Sequence, residues 1–276
     1  MPGRSPTLPV MPTTPATAPR PWGEHPLPAE GTSSQISIGP LTLWYRREKN
    51  EVWLAHGRAA PDSDPDEART PPEDWARWAF ADHPTSLRIT PVMPDRLLVV
   101  KPELSFMLLR RARARIYARV PIWVRVEAVT GLEGATLLTE LPTIVLSDTW
   151  WGDYQEGELG FWLPTKARRE LTPDLFETHM VIATLQLTNR SEDDLPVEKL
   201  ALRVVHLSMF EDEGRLWAEE VKVDYRGASE GSDIRMDDHP PQEADGAKEI
   251  SAAREKTSGF SARTFQRLRA LSGWGG

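Results

Sequence analysis

The densest set of chemically capable side chains lies between Ser147 and Glu158, in the stretch SDTWWGDYQEGE. Its clustered carboxylates could ligate a hard cation, or could act as a paired acid and base. The spacing matches neither a calcium loop nor a catalytic signature. We therefore favour a solvated hairpin loop with its tryptophans packed beneath it, and take as candidate interaction residues Trp150, Trp151, Asp153 and Glu158.

Tryptophan is abundant, with 11 residues in the chain. Tryptophans on a β-sandwich can stack on sugar rings or on bases, although such large side chains more often fill cores. Core packing is the favoured interpretation, and sugar binding remains the alternative. The tryptophans in or near predicted strands are Trp44, Trp53, Trp123, Trp150, Trp151 and Trp162.

A basic run extends from Arg110 to Arg125 and is interrupted by Tyr117 and Trp123. Cationic and aromatic side chains on one strand face could hold a phosphate backbone. The favoured alternative is a charge-paired surface, because acidic residues on a neighbouring strand would neutralise the arginines. The candidate acidic partners are Glu211, Asp212, Glu213, Glu219, Glu220 and Asp224.

The usual signatures of catalysis are absent from the sequence. Cysteine is absent, which excludes a thiolate nucleophile and a cysteine-based metal site. None of the 6 histidines has a paired metal-binding spacing, and there is no nucleophile elbow, phosphate loop or dinucleotide fingerprint. We predict no catalytic residue, no metal and no cofactor.

The clearest structural element is a strand from Arg113 to Glu127. The even positions from Ala114 to Val126 are all apolar, whereas the odd positions are mostly polar or aromatic. This period of two predicts one face in a core and the other toward solvent. Pro121 cannot donate a ladder hydrogen bond, so it predicts an edge, a bulge or a break between two strands.

Further alternating segments predict strands at 36–45, 51–55, 183–188, 197–209 and 216–225. Polar turns separate these strands, and few segments show a helical pattern. The fold prediction is therefore mainly β: an antiparallel β-sandwich or open barrel with one short internal helix and a C-terminal helix.

The two helices are predicted from caps and spacing. Thr70 to Glu73 resembles a capping box, and Trp75, Trp78 and Ala79 follow at helical spacing. Residues 251–276 are predicted to form an amphipathic helix that docks on the core or on a partner. Its candidate interaction residues are Phe265, Arg267 and Leu268.

Composition divides the chain into four parts. Residues 1–35 hold nine prolines in their first 28 positions and are predicted to be a disordered tail. Residues 36–227 form the predicted β-rich core, either as one domain or as two packed halves, 36–170 and 175–227. Residues 228–250 are acidic and are predicted to be a flexible linker before the C-terminal helix.

Bulk properties narrow the location and the partners. The formal net charge of −8 and the pI near 5.4 disfavour a nucleic-acid binder. No apolar run approaches the length of a membrane span, so we expect none. The N-terminus shows no secretory signal, which makes the cytoplasm the expected location.

Several turn and strand segments resemble a known family. They are Asn189–Ser191, Val197–Leu200, His206–Ser208, Gly214–Glu220, Leu141–Pro142, Trp150–Gly152 and Gly157–Leu159. This set is similar to an archaeal and bacterial family, domain of unknown function 432, over about residues 36–227 and the C-terminal segment. The resemblance supplies no catalytic residues to carry over, and the family's association with genes for small mechanosensitive channels implies an accessory role. The proline-rich N-terminus departs from the family pattern.

Two functional hypotheses follow. The first is a non-enzymatic cytoplasmic interaction or regulatory module with a protein partner, such as a membrane channel, and weak peripheral membrane contact at most. The second is a sugar-binding or cation-dependent ligand-binding or hydrolytic protein that uses the Trp150–Glu158 loop.

Overall fold

The protein is mainly β, as the sequence predicts. The computed structural model describes residues 21–266 except 60–69, 132–133, 156, 229 and 263. Strands account for 57% and helical turns for 4%, and one sheet curls into a half-barrel. The helical turns are short 3₁₀ segments at Pro173–Leu175, Val204–His206 and Gln242–Ala244.

The strands of the N-terminal part are numbered in chain order. They are β1 (Gly23–Pro26), β2 (Ser33–Ile38), β3 (Leu41–Glu48), β4 (Glu51–Arg58), β5 (Ala76–Ala79), β6 (Pro84–Val92), β7 (Leu98–Val100), β8 (Phe106–Leu108), β9 (Arg113–Pro121), β10 (Trp123–Thr130) and β11 (Gly134–Pro142).

The second group begins with the candidate loop. It comprises β12 (Ser147–Trp151), β13 (Glu158–Trp162), β14 (Met180–Asn189), β15 (Leu195–Val197), β16 (Lys199–Leu202), β17 (Met209–Asp212), β18 (Arg215–Ala218), β19 (Val221–Gly227), β20 (Gly231–Met236), β21 (Lys248–Ser251), β22 (Gly259–Ala262) and β23 (Phe265–Gln266).

Strand β14 is the centre of the largest sheet. It pairs antiparallel with β9 along one side and parallel with β18 and β19 along the other. The order continues outward to β17 and β21 beyond β18, and to β20 and β22 beyond β19. Strands β13 and β7 also run parallel, so the predicted purely antiparallel arrangement is wrong for these pairs. Nine of the ten residues of β14 are buried, as expected for a strand covered on both faces.

Three other sheets complete the frame that positions the site. Their orders are β1-β6-β10-β11, β2-β3-β4-β5 and β12-β13-β7-β16-β23, and β15 pairs with β8 separately. One continuous core joins them, with Leu43, Leu98, Val124 and Leu200 all fully buried in it.

The predicted period-two strand is confirmed, with a break at Pro121. Ile116, Val120 and Val124 are each 0% exposed, as predicted for the even face. Strand β9 ends at Pro121 and pairs with β14, whereas β10 starts at Trp123 and pairs with β6 and β11. Because proline lacks an N–H donor, the chain leaves one sheet there and enters another.

The short internal helix at 70–79 is wrong, because residues 76–79 form β5. Trp78 pairs with Val52 on β4, and Arg77 pairs with Trp53. The Arg77 guanidinium lies 3.8 Å from the centroid of the Trp53 ring. This cation–π contact and the ladder hydrogen bonds outweigh the local helical spacing.

The predicted C-terminal helix is also wrong over the described residues, because β22 and β23 lie within it. Phe260 pairs with Ile234 on β20, and Phe265 pairs with Leu200 on β16. Phe260 and Phe265, which the prediction places on one helix face, therefore lie on two different strands. The rest of that segment, with Arg267 and Leu268, lies outside the described residues.

The expected disordered tail and flexible linker both contain paired strands. Within 21–35, β1 pairs with β6 and β2 begins its pairing with β3; residues 1–20 lie outside the described part. Within 228–250, β20 pairs with β19 and places Ile234 and Met236 in the core. Backbone pairing thus orders polar segments that carry only a few apolar residues.

Candidate interaction hairpin and charged face

Strands β12 and β13 form a hairpin, and its two adjacent tryptophans have opposite environments. Trp151 is 3% exposed and packs with Leu97, Val99 and Ala201. Trp150 is 52% exposed and lies opposite Leu159, itself 47% exposed. Successive strand residues point to opposite faces, so Trp151 anchors the hairpin while Trp150 is displayed. The expectation that both tryptophans pack beneath the loop holds for Trp151 alone.

The turn holds the displayed indole in place. Trp150 Nε1 donates a hydrogen bond to the backbone oxygen of Asp153 at 2.8 Å, and the Gln155 N–H donates to Asp153 Oδ1 at 3.0 Å. Gly157 lies against the ring, where a Cβ atom would overlap the indole. Glu158 forms an ion pair with Arg203, at the start of the 3₁₀ turn after β16. Asp153 and Glu158 therefore shape and fasten the hairpin.

Four exposed apolar side chains lie on or beside this hairpin. Val145 precedes β12 and is 69% exposed, and Tyr154 at the tip is 96% exposed. We call the hairpin with these two residues, Trp150 and Leu159 the display hairpin. Single exposed apolar residues are ordinary, but a group of them around a fixed indole is typical of an interaction site.

Of the C-terminal candidate residues, Phe265 lies away from the display hairpin, and Arg267 and Leu268 lie outside the described residues. Phe265 on β23 contacts Tyr225 edge-on, with ring centroids 5.5 Å apart. Strands β12 and β23 occupy opposite edges of the same sheet. Within the part of the chain that the structure describes, no group of three or more His, Cys, Asp or Glu side chains could hold a metal ion.

The part of the predicted basic run that lies on β9, from Arg113 to Arg119, belongs to the large sheet, and we call this part, with the neighbouring side chains of β14 and β19, the charged face. Arg115 pairs with Glu220, as the charge-paired interpretation predicts. Arg119 and Arg125 pair instead with Glu177 and Glu140, which the sequence analysis did not name. These partners depend on tertiary pairing that periodicity does not reveal.

A small second core covers one end of the charged face. Tyr117 is 7% exposed and packs in a cluster with Leu175, Ile182 and Trp217. Its hydroxyl donates a hydrogen bond to Glu243 Oε1 at 2.7 Å. Burial, reinforced by the Glu243 carboxylate, raises the pKa of Tyr117 to about 12.

The other end of the charged face is open and forms a cavity of about 420 Å³. Arg113, Arg115, Gln186 and Lys222 lie on the sheet side, and the 237–242 segment forms the opposite wall. Sequence reasoning missed this cavity because it placed that wall in a flexible linker. Two sequence signals could have located the side of the cavity formed by the sheet: the arginine run, and the alternation of apolar and charged residues over 221–225.

A buried carboxylate lies next to the charged face, on Glu219. It is 2% exposed and accepts a hydrogen bond from the backbone N–H of Ser208 at 3.0 Å. Burial raises the pKa of Glu219, and the nearby Asp238 and Glu249 raise it further, against the hydrogen bonds from Ser208. This carboxylate fastens the turn between β18 and β19 to the start of β17.

Strand content, the curled sheet and the display hairpin define a mainly β protein with an exposed apolar hairpin. A family model described as "Protein of unknown function (DUF432)" matches residues 21–269. The chain belongs to this family, and the match extends beyond the span that the sequence resemblance indicated. The chain has no significant match among curated proteins or solved structures. None of the helices in the described residues has the length and apolar character that a membrane span requires.

Proposed function

We propose that the protein is a non-enzymatic, cytoplasmic interaction module that binds a protein partner through the display hairpin. The observation that carries this proposal is the half-exposed Trp150, held by its own turn and paired with the exposed Leu159. Rigid aromatic side chains of this kind dominate binding energy at protein interfaces, because little conformational entropy is lost when they dock.

The resemblance implies an association of the family with genes for small mechanosensitive channels, and such a channel is therefore the first partner to test. An accessory subunit needs a stable surface toward the channel and no membrane span of its own. Contact with the bilayer would then be peripheral and weak, since no described helix offers a long apolar face.

The test measures binding of the full chain to a purified small mechanosensitive channel in lipid nanodiscs, by biolayer interferometry. Trp150→Ala should weaken binding by at least about tenfold, the loss expected for a hot-spot aromatic residue. Leu137→Ala is the matched control, because Leu137 is 53% exposed on β11, outside the hairpin. Absence of binding to the channel, or equal losses in both variants, would reject the channel proposal. Empty nanodiscs with anionic lipid separate channel binding from lipid contact.

The display hairpin also favours a second candidate, a sugar ligand stacked on the exposed indole of Trp150 beside Tyr154. Tryptophan fluorescence titrated with a panel of sugars, with and without Ca²⁺, tests this candidate. A saturable change that Trp150→Ala abolishes would support it, and a dependence on Ca²⁺ would support the cation-dependent form. Trp151 is unsuitable for this test because it belongs to the core.

A further inference from the structure

The sheet side of the 420 Å³ cavity carries a row of donors across three neighbouring strands. Gln186 on β14 lies directly opposite Arg115 on β9 and directly opposite Lys222 on β19. Arg113 is two residues from Arg115 on β9 and therefore faces the same side. The register thus places three cationic side chains around one amide.

The acidic groups at the cavity are already paired with cations. Lys222 pairs with Asp237, and Arg115 pairs with Glu220 and, at 3.2 Å, with Glu243. His239 Nε2 lies 3.8 Å from Asp237 Oδ2. Asp237 and Glu220 are thus neutralised, which makes the cavity a poor site for a cation.

One arginine at the cavity has no acidic partner. Arg113 lines the cavity and forms no ion pair with any residue that the structure describes. Arg115 lines the same cavity, and its side chain is 31% exposed. A guanidinium without an acidic partner, next to a second guanidinium, suits a bound anion.

We propose that this cavity binds a small polar metabolite through an anionic group, a phosphate or a carboxylate, held by Arg113 and Arg115. Guanidinium groups pair with both kinds of oxyanion through directed, charge-assisted hydrogen bonds. The volume exceeds what one anionic group fills and lies within the usual range for small-molecule sites. Gln186, Gln242 and Glu220 line the remaining space, which suits hydroxyl groups on the ligand.

This inference is independent of the proposed function, because the cavity and the display hairpin share no residue. It also differs from nucleic-acid binding by the basic run. The unpaired cationic group is limited to this one cavity, and the rest of the charged face carries paired acidic groups, whereas a nucleic-acid site needs an extended cationic groove.

The test is isothermal titration calorimetry of the full chain at low salt with inorganic phosphate, glycerol 3-phosphate and glycerate, and with glycerol as the neutral probe. We expect saturable binding of at least one anionic probe and none of glycerol. Binding of glycerol 3-phosphate alone assigns the site to phosphates, and binding of glycerate alone assigns it to carboxylates.

Two variants locate the binding. Arg113→Gln should weaken it by at least about tenfold, the effect of losing a charge-assisted hydrogen bond. Arg110→Gln is the matched control, because Arg110 is an exposed arginine of the same run and does not line the cavity. Absence of binding by all three anionic probes, or equal losses in the two variants at unchanged melting temperature, would overturn the proposal.

Discussion

The display hairpin and the charged face distribute their side chains in opposite ways. The hairpin exposes apolar groups, Trp150 and Leu159, on a short edge strand and its neighbour. The charged face holds ionic groups partly shielded from water, with the Glu220 side chain only 10% exposed. The hairpin thus exposes side chains of a kind that usually lies in a core, whereas the charged face partly buries side chains of a kind that usually lies at the surface.

This difference separates binding from folding. The displayed atoms of the hairpin contribute little to the core, so changing them should affect association more than stability. On the charged face the ion pairs between neighbouring strands are part of the fold, so their loss should lower the free energy of unfolding. Single substitutions in each region test this difference.

The largest effect is expected for Ile116→Asp, on the buried side of β9. An unpaired carboxylate in the core should lower the free energy of unfolding by about 3 kcal/mol or more. Urea denaturation followed by fluorescence measures the loss. Arg113→Asp, on the exposed side of the same strand, is the control and should change stability far less. Similar losses at the two positions would contradict the observed orientation of β9.

A smaller loss is expected for Arg115→Met. The substitution removes the partner of Glu220 and one partner of Glu243. The Arg115 side chain is 31% exposed, so this ion pair is intermediate between a surface pair and a buried pair. We expect a loss of roughly 1–3 kcal/mol. A double-mutant cycle with Glu220→Gln checks the coupling, since the double variant should lose less than the sum of the single losses. Strict additivity would mean that the pair contributes nothing.

Glu219→Gln should produce a smaller change of the opposite sign. The folded pKa of Glu219 is raised above its ordinary 4.5, so the stability from its protonated form is present below 4.5 and is lost as pH rises through the folded pKa. Above the folded pKa the wild type buries a charge, and the neutral amide should gain up to about 1 kcal/mol there. Melting curves between pH 4 and 8 should show this advantage shrinking toward acid. An advantage that grows on acidification would refute the raised pKa.

The smallest effect on stability is expected for Trp150→Ala. Half of its surface is already in water, and the variant loses mainly one hydrogen bond to the Asp153 carbonyl. The change should stay within about 1 kcal/mol in urea denaturation. Trp151→Ala, by contrast, empties a core site and should lose about 3–5 kcal/mol. A large loss for Trp150 would place it in the folding core and weaken the proposed function.

The parts of the fold that local periodicity encodes were predictable. Strand β9 was located because each alternate residue is apolar, and Pro121 marked its end. The helix prediction at 70–79 is wrong because pairing of residues 76–79 with β4 outweighs the local helical spacing of Trp75 and Trp78. Pairing between β14 and its distant neighbours leaves no local trace, so the parallel arrangement was beyond prediction.

The candidate site shows the same limit. Adjacent Trp150 and Trp151 on a strand must face opposite sides, but the sequence does not decide which one is buried. The cavity required the 237–242 segment to pack over Gln186, and that segment carries few of the apolar residues on which sequence reasoning depends.

The pairing of β9 with β14 has a consequence for biosynthesis. In the described structure β14 is the only strand neighbour of β9, and their register joins Pro121 to Met180 and Arg113 to Thr188. During translation, Arg113–Pro121 must therefore emerge from the ribosome and wait, with an unsatisfied edge, until residue 188 follows. Such long-range strand pairing slows folding and leaves an aggregation-prone intermediate. The nascent chain should therefore depend on chaperones until residue 188 has emerged.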